Sequence, residues 1–303
     1  MNIKHSLYGL LCGTLMLASC SSEEPTAPSA QTVEASFSLN IAGEVATRAG
    51  NGDSSLGGAD AENLGAENLN YILALYEVAE NDALILSDFC QVSDRDGDGE
   101  RFSPMVTLGK TYMMVALAHF GEKRNIADAD KADYLKAMPI ENKINSEAED
   151  FYVATKTARF TADNLQHALT LKRPYAKLRI VATDWNQSAI QSVTVDYAAN
   201  TLFSQFNVLT NQFSIESEIK KITASQYNTS DADTAKTIVA DYFPVNADTY
   251  LSTFKVTVTF NDNDNTSFSR TFNDIPLQRN ALTTLSGAFF SSQSQMKCDI
   301  TND

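Results

Sequence analysis

Few side chains in this sequence combine type and spacing in a way that could do chemistry. Asp94-Arg95-Asp96-Gly97-Asp98-Gly99 opens like a calcium loop, with carboxylates at alternate positions and glycine at the sixth. Such a loop needs a bidentate Glu at its twelfth position, and that position holds Met105. A β-hairpin turn explains the same Asp and Gly residues, so Asp94, Asp96 and Asp98 are read as a turn first and a calcium site second. Histidine is scarce, at three in 303 residues. His119 and His167 have no Ser or Asp at a recognisable triad spacing and are read as structural. No G-x-S-x-G, H-E-x-x-H, P-loop or G-x-G-x-x-G occurs. Catalysis is therefore not expected, and nothing calls for a cofactor. A net charge of −15 excludes nucleic acid as a partner, because phosphate binding works by cationic side chains displacing counterions.

The amino terminus carries chemistry of a different kind. Lys4 precedes an apolar stretch from Leu7 to Leu17, which ends in Leu17-Ala18-Ser19-Cys20. The stretch is shorter than the roughly 20 residues a membrane helix needs, so residues 1–19 read as a cleaved secretory signal. Leu-Ala-Ser-Cys resembles a bacterial lipobox, which implies diacylglycerol on Cys20 and acylation of its new amino group. Two or more acyl chains give stable attachment. Residues 20–32, with Pro25, Pro28 and several Ser and Thr, read as an extended tether. Glu23 and Glu24 behind the cysteine resemble the export signal of Bacteroidetes lipoproteins that reach the outer face of the outer membrane. The expected location is thus the outer membrane, lipid-anchored and facing the exterior. Of the four cysteines, Cys12 leaves with the signal and Cys20 carries lipid. Cys90 and Cys298 fall in different halves, so two buried thiols are favoured over a disulfide.

The elements that must position these groups read as strands. Residues 33–41 alternate without a fault, with Val33, Ala35, Phe37, Leu39 and Ile41 on one face, which predicts a half-buried strand about 30 Å long. Thr47-Arg48-Ala49 follows, then residues 50–70, which hold five of the 13 glycines and read as a protease-accessible loop. Apolar runs over 71–78, 84–92, 102–108 and 111–120 recur at about ten-residue spacing, the pattern of a sandwich. Gly109-Lys110 reads as a hairpin turn, and residues 128–138 as one short helix ended by Pro139. A second series of strands begins near His167, with Asp262 to Asn265 as a hairpin turn and a long polar loop over 220–236. Two domains are expected, an N-terminal β-sandwich over 33–165 and a C-terminal one over 166–303. Asp233-Thr234-Ala235 resembles the O-glycosylation sequon of exported Bacteroidetes proteins, which makes Thr234 a candidate acceptor.

Two segments carry a resemblance to a known family. Leu169 to Asp184, L-T-L-K-R-P-Y-A-K-L-R-I-V-A-T-D, resembles the first strand of the second domain in Bacteroidales fimbrillin-like lipoproteins. Asp274 to Gly287, D-I-P-L-Q-R-N-A-L-T-T-L-S-G, resembles their penultimate strand region. The pair is similar, more narrowly, to an uncharacterised two-domain lipoprotein family within that superfamily. The resemblance implies an all-β fold of two transthyretin-like β-sandwich domains, with one short helix and long polar loops. It implies a cell-surface fimbrial subunit or fimbria-associated adhesin, whose partners are other fimbrial subunits or a surface ligand. In such fimbrillins an arginine-specific protease removes the first strand, and a strand from the next subunit fills the groove. Arg48 and Ala49 would flank the cut here. The alternative is a monomeric surface glycan-binding lipoprotein, which calls for an exposed aromatic platform; Trp185 is the one tryptophan.

Overall fold

The computed structural model describes residues 31–41, 69–94, 100–119, 124–140, 151–184, 190–197, 204–214, 221–224, 236–245, 249–260, 264, 266–291 and 295–302. The first part of the chain forms β1 (Thr32–Glu34), β2 (Ser36–Ile41), β3 (Leu69–Val78), β4 (Leu84–Asp94), β5 (Glu100–Phe102), β6 (Met105–Thr107) and β7 (Thr111–His119). These are followed by the single helical turn α1 (Lys131–Tyr134), β8 (Met138–Pro139), β9 (Phe151–Arg159) and β10 (Gln166–Leu171). The second part forms β11 (Tyr175–Ala182), β12 (Ile190–Tyr197), β13 (Gln205–Asn207), β14 (Gln212–Ser214), β15 (Lys221–Ala224) and β16 (Lys236–Pro244). It ends with β17 (Thr249–Phe260), β18 (Ser267–Gln278), β19 (Ala281–Gly287) and β20 (Lys297–Asn302). The fold is all-β, as the spacing of apolar runs predicts.

Two sandwiches account for most strands. In the first, a sheet ordered β4-β3-β7-β9 covers a second layer of β10-β2-β5 and β1-β6, and one core fills the space between. In the second, β16-β11-β19-β20 packs on β15-β12-β17-β18 around another core. Period-two alternation builds that core: β17 turns Phe254, Val256, Val258 and Phe260 inward and Lys255, Thr257 and Thr259 outward. The residues from Leu69 to Tyr76 break this rule, being apolar or buried without alternation. The cause is a third core on the outer face of β3 and β7, where Ile72, Val115 and Leu117 meet Leu135, Met138, Tyr175, Phe206 and Phe213. A sheet covered on both faces has no polar side to display.

Several local expectations are corrected. The helix is one turn, Lys131–Tyr134, because Met138 and Pro139 are extended and pair with Gln205 and Phe206 of β13. Gly109 does sit in a turn, at φ +85 with Lys110 N–H donating to Thr107 O at 3.3 Å. That turn joins β6 to β7, which lie in different layers and do not pair, so it is not a hairpin. The same holds for the connection carrying Asp96 and Asp98, since β4 pairs with β3 and β5 with β2. The polar loop expected over 220–236 contains β15, an edge strand on β12. Strand β10, expected to open the second group, is paired along its whole length with β2 of the first.

The two resembling segments lie side by side. β11 and β19 pair in parallel from Lys177 and Leu282 to Ala182 and Gly287. Where they begin, Arg173 N–H donates to Asn280 Oδ1 at 2.9 Å and Asn280 N–H to Tyr175 O at 2.9 Å. Asn280 reaches both at φ +54, a left-handed conformation that Asn tolerates better than most residues. The Arg173 guanidinium is buried and donates to Tyr152 Oη of β9 at 2.8 Å, while Arg279 donates to the carbonyls of Val245 and Asn211. The Arg173 bonds tie the second sandwich to the first.

Candidate functional site: the seat of the first strand

Residues 32–41 form one strand, although Ala35 interrupts its ladder. β1 pairs antiparallel with β6 from Thr32 and Thr107 to Glu34 and Met105, and β2 pairs with β5 from Phe37 and Phe102 to Leu39 and Glu100. Both stretches keep the same register, and the residue opposite Ala35 is Pro104. Ala35 N–H donates to Pro104 O at 3.0 Å, but proline has no N–H to return. One missing bond therefore splits an otherwise continuous ladder. On the opposite edge, Ser36 N–H donates to Leu165 O at 2.7 Å, and β2 then runs parallel to β10 from Ser36 and Gln166 to Ile41 and Leu171. From Phe37 to Leu39 the strand is thus internal to its layer, bonded along both edges.

Its inward face carries the sequence pattern into the core. Ala35, Phe37 and Leu39 are buried to within 1 % exposure, and Val33 and Ile41 pack against the same core. Phe102 and Val106 line one side of the seat, and Leu169 and Leu171 the other. The floor is aromatic. Phe37 stacks on His167 at 5.5 Å between ring centroids and lies 6.1 Å from Phe160, which meets Tyr112 edge-on at 5.4 Å. The alternation of 33–41 is visible in the sequence; the residues that receive it are not, because β5 and β6 are three residues each and β10 reads as a strand of the other domain.

Other candidate residues scatter. Cys20, Arg48, Ala49, Thr234, Asp96, Asp98 and Trp185 lie outside the described residues, as does the side chain of Asp94. Arg48 and Ala49 fall between the end of β2 and the start of β3. Met105 is on β6 and exposed. Cys90 and Cys298 are both free; Cys90 is half-buried on β4, but Cys298 is exposed on the edge strand β20, against the expectation of two buried thiols. Burial pushes both thiols above their ordinary range. His119 and His167 are buried on different sheets. Burial, and next the charge of Lys156, lower the His167 pKa from its ordinary value. Among the described residues no group of three or more His, Cys, Asp or Glu could hold a metal. The exposed large apolar side chains among them are Ile85, Met105, Leu251 and Ile300, none aromatic.

The all-β, two-sandwich fold defines the class, and a solved structure shares it. The tip fimbrial protein Mfa3 of Porphyromonas gingivalis, with a C-terminal truncation, superposes with a TM-score of 0.50 over 89 % of this chain and all of its own, at 8 % identity. A fimbrial assembly protein from Parabacteroides distasonis (TM-score 0.46, 10 % identity, 90 % of this chain and 96 % of that one) is also similar. So is the fimbrial anchor protein Mfa2 of P. gingivalis (TM-score 0.43, 9 % identity, 84 % and 91 %). The sequence matches no curated protein. Residues 25–303 match a family model, and the chain belongs to that family, described as a family of unknown function (DUF6562).

Proposed function

We propose that this chain is a non-enzymatic fimbrial subunit or fimbria-associated adhesin, lipid-anchored at Cys20 on the outer face of the outer membrane. Cleavage after Arg48 would release residues 32–41, and a strand from another subunit would then fill the seat. The observation that carries the reading is the placement of the first strand. It is bonded along both edges from Phe37 to Leu39 and puts Phe37 and Leu39 wholly into the core, and Arg48 follows it in the chain. Removing it would leave two unpaired strand edges and an open apolar groove, which another chain can fill by main-chain pairing. Fully burying Phe37 and Leu39 supplies about 5 kcal/mol, a large part of the 5–15 kcal/mol that holds a typical domain. An emptied seat would therefore select for a replacement. Thr234 remains a candidate glycosylation site on the same exported protein.

Intact mass and amino-terminal sequencing of protein recovered from the cell surface test this. A start at Ala49 without lipid supports strand removal and exchange. A start at acylated Cys20 in assembled material rejects it and leaves an anchored accessory protein with its own strand in place.

A further inference from the structure

His167 sits where it can sense whether the first strand is seated. It lies on β10 directly opposite Phe37 of β2, its ring stacked on Phe37 and edge-on to Phe160 at 4.8 Å. The residue is 4 % exposed, and no protein group partners its Nε2. In the neutral ring an unpartnered nitrogen is an idle acceptor, whereas in the imidazolium it becomes a buried N–H with nothing to receive it. The charged group acting on the ring is Lys156 of β9, whose ammonium repels an imidazolium; a hydrogen bond to the Asn164 backbone offsets this only in part. From β7, Tyr112 reaches the cluster through Phe160, and its hydroxyl is engaged by the Thr107 N–H at 3.1 Å.

We propose that His167 is an acid-sensitive latch on residues 32–41, holding the strand through Phe37 while neutral and loosening it when protonated. Its bearing on subunit assembly rests on the strand-exchange reading above; the latch itself does not. The sign follows from burial. With the strand seated, the ring resists protonation, and its pKa lies below the ordinary value. With the strand out, the ring meets water and titrates near 6.5. The open state therefore takes up the proton, so seating is complete above about pH 6.5 and weakens as pH falls through it. Because the open state takes up the proton more readily than the seated one, the opening equilibrium rises between pH 7.5 and 5.5 by up to about tenfold, the limit for a seated ring that stays neutral throughout.

Hydrogen exchange of the purified protein, read on a peptide spanning residues 33–41, measures that opening. A peptide spanning residues 190–197 in the second core corrects for intrinsic exchange chemistry. Wild type is expected to lose protection between pH 7.5 and pH 5.5, by up to about tenfold, and His167→Phe to lose none. His167→Gln, polar but unable to charge, must also abolish the acid effect and guards against misfolding of the first variant. An equal acid response in wild type and both variants, or none in wild type, overturns the latch. A terminal sequence showing the strand retained in assembled fimbriae overturns strand exchange and leaves the exchange result standing.

Discussion

Replacing Phe37 by alanine tests how firmly residues 32–41 are held. Phe37 is fully buried, stacked on His167 and close to Phe160. Phe-to-Ala changes in cores cost about 3–5 kcal/mol, more where the surroundings cannot collapse into the cavity. Collapse is restricted here because β10 and β5 hold β2 by backbone bonds on both sides. We therefore expect a loss of about 4 kcal/mol. At about 2–4 °C per kcal/mol for a chain of this size, the transition of the first sandwich should fall by about 10 °C. Calorimetry gives the shift, and hydrogen exchange in β10 and β12 assigns it to the first or second core, which need not unfold together. Asn40→Ala, on the exposed face of the same strand, is the control and should move stability by no more than about 0.5 kcal/mol. A Phe37→Ala loss below about 1 kcal/mol would refute the reasoning, since no fully seated phenylalanine is removed so cheaply.

Other sites give independent tests. Gly287→Ala should cost about 1–3 kcal/mol in urea unfolding: its φ is +153, and an added Cβ would meet Met296 Cα at 3.1 Å. Tyr76 is buried and lies near Asp133, which pushes its phenol up to about 12. The unfolded chain then gives up its proton first, so stability should fall as pH rises from about 10 to 12, and less steeply in Tyr76→Phe; chemical denaturation across that range reads it. Arg173→Met should cost about 2 kcal/mol, because it deletes a buried hydrogen bond from a charged guanidinium to Tyr152, and proteolysis near the junction of the two sandwiches should accelerate.

Much of the fold can be read from side-chain period. Phe37 and Leu39 announce β2, and Val256 and Val258 announce β17, because each strand has one dry and one wet face. The period fails where that asymmetry fails. Leu69 to Tyr76 is covered on both sides, so its sequence shows a strand without showing which partners cover it. β9 is the reverse: three buried residues, Phe151 to Val153, lead into an exposed edge of Thr155, Lys156 and Thr157. Pairing across layers is invisible to local pattern, which is why the Gly109 turn and the Asp96 connection read as hairpins. His167 is the clearest instance of what composition hides. Its burial marks it as structural, but its contact with Phe37 depends on a parallel pairing between segments more than a hundred residues apart.

The arrangement of the first strand also fixes how the molecule would carry load. A tensile force applied along residues 32–41 acts parallel to the strand and across the hydrogen bonds to β10, β5 and β6. Those bonds are loaded in shear and must yield together rather than one after another, as they would if the strand were peeled from an edge. Whatever chain occupies the seat, its own or another's, inherits that geometry. The ties that Arg173 makes to Tyr152 and Asn280 then brace the linker at 172–174 against both sandwiches, so the force passes through it.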